Sequence, residues 1–462
     1  MPQEGARATL TNAATPQHRL AIPWGPDATL PLAIPSDWNV VGVAWPDLAS
    51  PILDYAAALE HALDQPEGGV EAGLPGQLEP GMKVAIVVDD PSRWTPVREA
   101  LPILLGRLLN AGIEPSDVSI SVGVGRHAAV DARAMALRVG ENVARTYTCH
   151  SPPVDDLSAY VDLGTTSEGV PVRVFGPVAR ADLRILVGSV LPHLQAGFGG
   201  GFKLIFPGTS HRSTLVALHR KGLGADEAGR LLGGHAAENP MRQAIALAAA
   251  KLGPCVSVSH LLGPPGTVLE VATGRPEGVQ DRLASEAARR FRAREVNSKT
   301  IDIVIAGNHP WPGDPMQSFK VLLQHRSAGR PGGVLAGFFW TDAEEIDRSM
   351  PLGALQGIAR TGSVGGWVIR RGLAAADRVA SAVHAPSEFL IRWARELVVD
   401  RTVLVYAPPL FERVGPRLGP VRLFDDVGAL WDAAARALPG VSRPGCRIFP
   451  QGGLTYCPMA GV

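Results

Sequence analysis

The chain is expected to be α/β, with two three-layer α/β domains built on mainly parallel sheets. Three observations predict this. Runs such as MKVAIVVDD at 82–90 and RADLRILVGSVLP at 180–192 are apolar almost throughout, the mark of strands buried on both faces. Segments with 3.6-residue apolar spacing separate them, and that βα alternation builds parallel sheets. The alternation restarts at Thr300, after a charged, Ala-rich helical stretch at 281–295 that reads as a bridge. Residues 1–295 are therefore assigned to a first domain and 296–439 to a second, smaller one.

Taken in order, residues 1–20 are polar and Ala-rich and read as an extension. TLPLAIP and NVVGVAWP are short strands broken by prolines, and 50–63 is helical in pattern. The strand at 82–90 ends in Asp89-Asp90, then PSRWTP. Polar residues at the end of a parallel strand stand where such sheets bind ligands. There Arg93 can pair with a substrate carboxylate, and Asp89 or Asp90 can accept from a ribose hydroxyl or orient a partner. A surface Asp-Arg turn is the plainer alternative. A helix at 97–112 leads to the strand DVSISVGVG, which runs into Arg126-His127. Helices are expected at 225–232 and 240–253, and a hairpin of CVSVSHLL and TVLEVATG turns around 263–266, with His260 as a structural residue. The second domain alternates strands TIDIVIAG, GGVLAGFFW and RTVLVYAP with helices, and ends in the short strand CRIFP.

The richest stretch is GSVLPHLQAGFGGGFKLIFPGTSHRSTLVALHR, residues 188–220. It sets His193, Lys203 and His219 around a turn with Gly197, Gly199, Gly200 and Gly201. Glycines let backbone approach a ligand without an intervening Cβ. KLIFPG is a short second run, and Thr209 or Ser210 caps the helix that carries His219. A phosphate-binding loop is excluded: Phe202 stands where its second Gly belongs, and Leu204 follows the lysine. A structural loop with a surface lysine and two ordinary histidines fits these residues as well.

Composition narrows the class. Lys plus Arg balance Asp plus Glu at 44 each in 462 residues, so no basic field points to nucleic acid or membrane. No run reaches the roughly 18 apolar residues of a membrane span. Four scattered cysteines and no signal pattern lead us to expect a reduced, cytoplasmic enzyme. An NAD-dependent dehydrogenase would need a strand followed by GxGxxG, which is absent.

Six motifs in order resemble the nickel-pincer nucleotide-dependent lactate racemase family of 2-hydroxyacid racemases and epimerases. They are Asp89-Asp90-Pro91-Ser92-Arg93-Trp94-Thr95-Pro96, Gly125-Arg126-His127, residues 192–208, His219, Glu238-Asn239-Pro240-Met241-Arg242 and Gln317-Ser318-Phe319-Lys320. The resemblance implies an active site in a crevice between two domains, and a C-terminal tail, 440–462, that returns to the first. It implies a cofactor, a pyridinium-3-thioamide-5-thiocarboxylic acid mononucleotide holding Ni, supplied by cofactor-synthesis proteins. Lys203 would tether it, His219 would ligate the metal, and Asp89 and Gln317 would contact the nucleotide. His127 and His193 would be acid/base partners, one for each face of the substrate, and Arg93 and Lys320 would hold its carboxylate. Histidines suit this because each exchanges a proton near neutral pH. One takes the hydroxyl proton as hydride leaves C2, and a planar 2-keto acid results.

The pocket departs from lactate-specific members. Ala128 follows His127 in place of a basic residue, Met316 precedes Gln317 in place of an aromatic one, and Phe389 and Trp393 both compete for the tryptophan that lines the pocket. The expected substrate is therefore a 2-hydroxy acid other than lactate. A sugar-acid C2 epimerase and a non-catalytic pincer-nucleotide-binding protein are the alternatives, though a carrier would need Lys203 and His219 without the histidine pair. Nothing in the sequence fixes the oligomeric state.

Overall fold

The structure, a computed structural model, describes residues 18–127, 129–223, 231–234, 236–311, 315–350, 352–383 and 388–458. Ala128 lies outside them, as do the side chain of Met316 and most of the helix expected at 225–232.

The first sheet has six strands in the order Val268–Gly274, Cys255–Leu262, Leu183–Val190, Val84–Asp89, Val118–Gly123, Thr148–His150. All neighbours run parallel except the first pair, the expected hairpin. Val84–Asp89 and Leu183–Val190 are buried along their whole length, as their unbroken apolar runs require. Helices cover both faces. Val97–Asn110 packs Val97, Leu101, Leu104, Leu105 and Leu108 against one. Arg212–Lys221 and Pro240–Ala249 pack Leu218, Met241 and Ile245 against the other. From Val84–Asp89 the chain steps outward to Val118–Gly123 and Thr148–His150, then returns to add Leu183–Val190 on the opposite side. The order reverses there, and a crevice opens beyond the carboxyl ends of these two strands.

The second sheet has seven strands, in the order Arg417–Leu418, Val421–Phe424, Thr402–Tyr406, Val334–Phe338, Ile303–Gly307, Gly445–Phe449, Asn39–Val43. All but the first pair are parallel. Its reversal lies at Ile303–Gly307, which leads toward the helix Pro315–His325 that carries Gln317 and Lys320.

Four expectations are corrected. The tail strand Gly445–Phe449 pairs with Ile303–Gly307 and Asn39–Val43 in the second sheet, because a five-residue strand buried on both faces completes that sheet. Beyond it, Tyr456 reaches the first domain, donating its amide to Phe291 and accepting from Ala293 at 3.1 and 2.9 Å. The N-terminal segment also belongs with the second sheet. His18–Trp24, whose first three residues lie in the expected extension, forms a hairpin with Ala28–Ile34 whose Ile22, Leu32 and Ile34 are buried beside Trp431. Finally, KLIFPG is not extended: Gly201–Leu204 is a turn of 3-10 helix. His211, not Thr209 or Ser210, caps the helix behind it, accepting from the Ser213 amide at 3.1 Å. Thr209 and Ser210 are fully buried, and the Ser210 hydroxyl donates to the Ile205 carbonyl at 2.7 Å.

Candidate active site

Of the sequence-predicted residues, His127, His193, Lys203 and His219 lie in segments that follow strands of the first sheet. His127 lies just past Val118–Gly123, and its amide donates to the Val124 carbonyl at 2.9 Å. Its Nδ1 faces Asp90 Oδ1 at 3.1 Å, and its Nε2 lies 3.5 Å from Gln317 Nε2 of the second domain. A carboxylate opposite Nδ1 keeps the ring proton there and leaves Nε2 as the acceptor, facing the Gln317 amide. Burial pushes the Asp90 carboxyl up. The hydrogen bond and charge of His127, the Arg93 guanidinium and the Ser92 amide overcome this and hold it well below the usual carboxylate range.

Asp89 has other partners. Arg138 bonds one of its oxygens and Thr95 Oγ1 donates to the other at 2.6 Å. Arg138 also donates to the carbonyls of Arg93 and Thr95 at 2.9 and 3.1 Å, so it fixes the loop after the strand. Of the two aspartates, Asp90 orients the histidine. Sequence reading missed Arg138, because nothing local marks an arginine 49 positions away as the partner of Asp89.

His193 sits in a two-residue strand, Pro192–His193, paired back on Gly197–Phe198. Its Nδ1 accepts from the Gln195 and Ala196 amides at 3.2 and 3.1 Å. Two donors on Nδ1 place the neutral ring's proton on Nε2. Burial, helped by Lys203, Lys320, Arg93 and His219, holds this imidazole well below its ordinary pKa.

The glycine turn between His193 and Lys203 is clamped by protein. Arg242, buried on Pro240–Ala249, donates to the carbonyls of Ala196, Gly199 and Gly200 at 3.1, 2.9 and 3.2 Å and also to that of Phe198. At Gly200, φ is +77° and an added Cβ would stand 2.9 Å from the Ser189 carbonyl. The glycines thus serve first to let backbone approach backbone. The Gln280 side-chain oxygen, buried against Gly200 and Gly201, has no hydrogen-bond partner.

Lys203 follows this turn. Burial pulls its pKa down to about 7, with Arg242, Arg93 and Lys320 adding repulsion and Asp90 opposing them. Its amine is therefore available as a neutral nucleophile near neutrality. His219, on Arg212–Lys221, pairs its Nδ1 with the Leu215 carbonyl at 2.8 Å. A carbonyl only accepts, so the proton is on Nδ1 and Nε2 keeps its lone pair. Burial depresses this ring to about 3; the Leu215 bond opposes that, and Lys203, Arg126 and Lys320 reinforce it.

The second domain supplies the opposite wall. Phe389 stacks on His219 at 4.9 Å between centroids and meets Trp393 edge-on at 5.2 Å, so both candidates belong to one aromatic wall. Lys320 Nζ donates to Gln317 Oε1 at 2.7 Å and lies 5.8 Å from the Trp393 ring centre. Arg93 stacks over Trp311 at 4.7 Å. The remaining candidate, His260, is structural as expected: it is buried between Tyr55 and the Gly188 carbonyl at 2.7 and 2.9 Å. Among the described residues no three His, Cys, Asp or Glu side chains gather around one metal position. His219, with its Nδ1 engaged by the Leu215 carbonyl, can give a metal one imidazole nitrogen.

Fold and site together define an α/β protein with a cationic crevice between two reversal points, holding two histidines with opposite proton placement. Residues 27–230 match the family model described as the lactate racemase N-terminal domain. The chain is 25% identical over 284 residues to the lactate racemase of Thermoanaerobacterium thermosaccharolyticum, covering 60% of this chain and 64% of that protein. It is 28% identical over 168 residues to that of Lactiplantibacillus plantarum, covering 36% and 39%. The alignments thus span less than two thirds of these relatives. The fold matches the lactate racemase apoprotein of T. thermosaccharolyticum with a TM-score of 0.73 at 19% identity, covering 95% of this chain and 99% of that one. A Thermotoga maritima protein matches at 0.61 and 14%, over 90% and 100%. The chain is thus similar to lactate racemases over its N-terminal part in sequence and over nearly its whole length in fold.

Proposed function

We propose that this protein is an isomerase that inverts C2 of a 2-hydroxy acid with a nickel-pincer nucleotide bound in the crevice. The observation that carries the reading is the pair of histidines with complementary protons, set among cations that suit a carboxylate. The crevice fits the cofactor: a lysine that is neutral near pH 7, a histidine with its Nε2 lone pair free, and unpartnered buried oxygens at Ser92 and Gln280. Lys203 would tether the nucleotide, His219 would ligate nickel, and Gln317 and the Asp89 strand end would border it. When bound, the group supplies a reversible acceptor for the hydrogen at C2.

The chain's own residues do the rest. Arg93 and Lys320 hold the substrate carboxylate by charge and fix C2 in the crevice. His127, with its Nδ1 proton turned to Asp90, takes the hydroxyl proton at Nε2. His193, with its proton on Nε2, hydrogen-bonds the same oxygen from the other side, and the proton held by His127 goes back to oxygen when the hydrogen returns to C2. The aromatic wall of Phe389 and Trp393 limits water around the reacting carbon. Reading the protein instead as a non-catalytic nucleotide binder leaves the His127–Asp90 pairing and the His193 amide cradle without a role.

The test is intact-protein mass spectrometry with metal analysis on protein co-produced with the cofactor-synthesis proteins. The expected result is a covalent adduct and about one nickel per chain, both lost in Lys203→Ala, together with loss of optical purity in a chiral 2-hydroxy acid. No adduct, beside a lactate racemase control that loads, would overturn the reading.

A further inference from the structure

Arg126 has no task in the reaction just described, yet it stands directly beside His127. Among the described residues it makes no hydrogen bond or ion pair. Its guanidinium carbon lies over the Phe389 ring of the second domain at 4.5 Å. The residue is exposed and feels the charge of Arg212, and its own charge is among those that keep His219 neutral, so it stands at the border of the site.

Lys320 occupies a matching position. It stands over Trp393, the ring next to Phe389, so two cations perch on adjacent rings of one wall. His127 is linked to both: Gln317 joins it to Lys320, at 3.5 and 2.7 Å, and Arg126 precedes it in the chain. A substrate with its hydroxyl carbon at His127 Nε2 and its C1 carboxylate at Lys320 and Arg93 therefore extends toward Arg126. A methyl group there would leave a guanidinium facing apolar surface in a site already crowded with positive charge. A second carboxylate would give Arg126 the planar, two-oxygen partner its fork of donors matches.

Resting on the reading above, we infer that the substrate is a 2-hydroxy acid with a second carboxylate, and that Arg126 is the residue that selects it. The shortest such acid is 2-hydroxybutanedioate; 2-hydroxybutanoate has the same chain length and no second charge.

The experiment compares these two acids on loaded enzyme, with Arg126→Gln as the variant. The wild type is expected to favour the dicarboxylate in kcat/KM, and the variant to shrink the ratio of the two values by about tenfold to a hundredfold, the size of a lost charge-assisted hydrogen bond. Calorimetric binding of both acids gives a readout independent of turnover: the dicarboxylate is expected to bind more tightly, with that advantage lost in the variant. Binding that follows this pattern without turnover supports the inference and sinks the proposed reaction. Equal use of both acids by the wild type overturns the inference. So does a variant that weakens both acids alike, which makes Arg126 a domain clasp, or one that loses the nucleotide adduct, which assigns it to the cofactor. Thermal melting of the variant separates a clasp from a general loss of fold.

Discussion

His127 and His193 carry the same side chain in opposite settings. His127 has a side chain that is 42% exposed, a carboxylate at Nδ1 and a second-domain amide at Nε2. His193 is sunk among Lys203, Lys320 and Arg93, and its Nδ1 is held by two backbone amides. In the proposed reaction the first ring accepts a proton and the second donates a hydrogen bond. An acid/base pair therefore does not need two differently tuned side chains. A carboxylate on one and a backbone cradle on the other are enough to point their protons in opposite senses.

The sharpest way to break the comparison is to remove each ring. His127→Ala and His193→Ala are each expected to lower kcat by about 10²- to 10⁴-fold with the nucleotide adduct retained, measured by polarimetry and intact mass. If both variants interconvert substrate at the wild-type rate, the paired mechanism is wrong. A smaller effect is expected from Asp90→Ala, which frees His127 and leaves the His193 cradle untouched. The loss of one hydrogen bond to a charged group should cost about tenfold to a hundredfold in kcat. Diethyl pyrocarbonate labelling of His127 should shift, while that of His193 stays as it was. Labelling of His193 that moves instead would show that the two settings are not separate.

The subtlest test concerns the cationic side. Lys203 is expected to be half-deprotonated at about pH 7, against roughly 10.4 for an ordinary lysine. Competitive acetylation followed by peptide mass spectrometry reads this directly. Above pH 7 the amine is neutral and reactive; acidifying below it protonates Lys203, adds a further cation beside His193 and silences the nucleophile. An apparent pKa near 10 would remove crowding and burial as the cause.

Much of this was legible in the sequence, for local reasons. Val84–Asp89 and Leu183–Val190 announce themselves because a parallel strand buried on both faces must be apolar throughout. The glycine turn reveals itself by density, and His193, Lys203 and His219 by their fixed places around it. What was not legible is non-local. Asp89 and Asp90 are equivalent in sequence, but successive strand-end residues point to opposite faces, and only the fold gives one to Arg138 and the other to His127. The clamp of Arg242 on four carbonyls shows in sequence only as an arginine in a motif. His18–Trp24 hides because Pro23 and a polar start mask its alternation. Ala343–Ser349 and Leu352–Arg360, unread as helices, are short and broken by glycine and proline.

The placement of Gly445–Phe449 between Ile303–Gly307 and Asn39–Val43 bears on how the protein is made. Residues 84–274 supply every strand of the first sheet, so that sheet can assemble while the rest of the chain is still being synthesised. The second sheet has no such freedom. Every other strand of the two large sheets is translated between Asn39–Val43 and its neighbour in the sheet, Gly445–Phe449. Until that neighbour is made the strand has an unpaired edge, a state that invites wrong pairing. It is only five residues long, with three of its side chains exposed, which keeps the waiting edge a poor template.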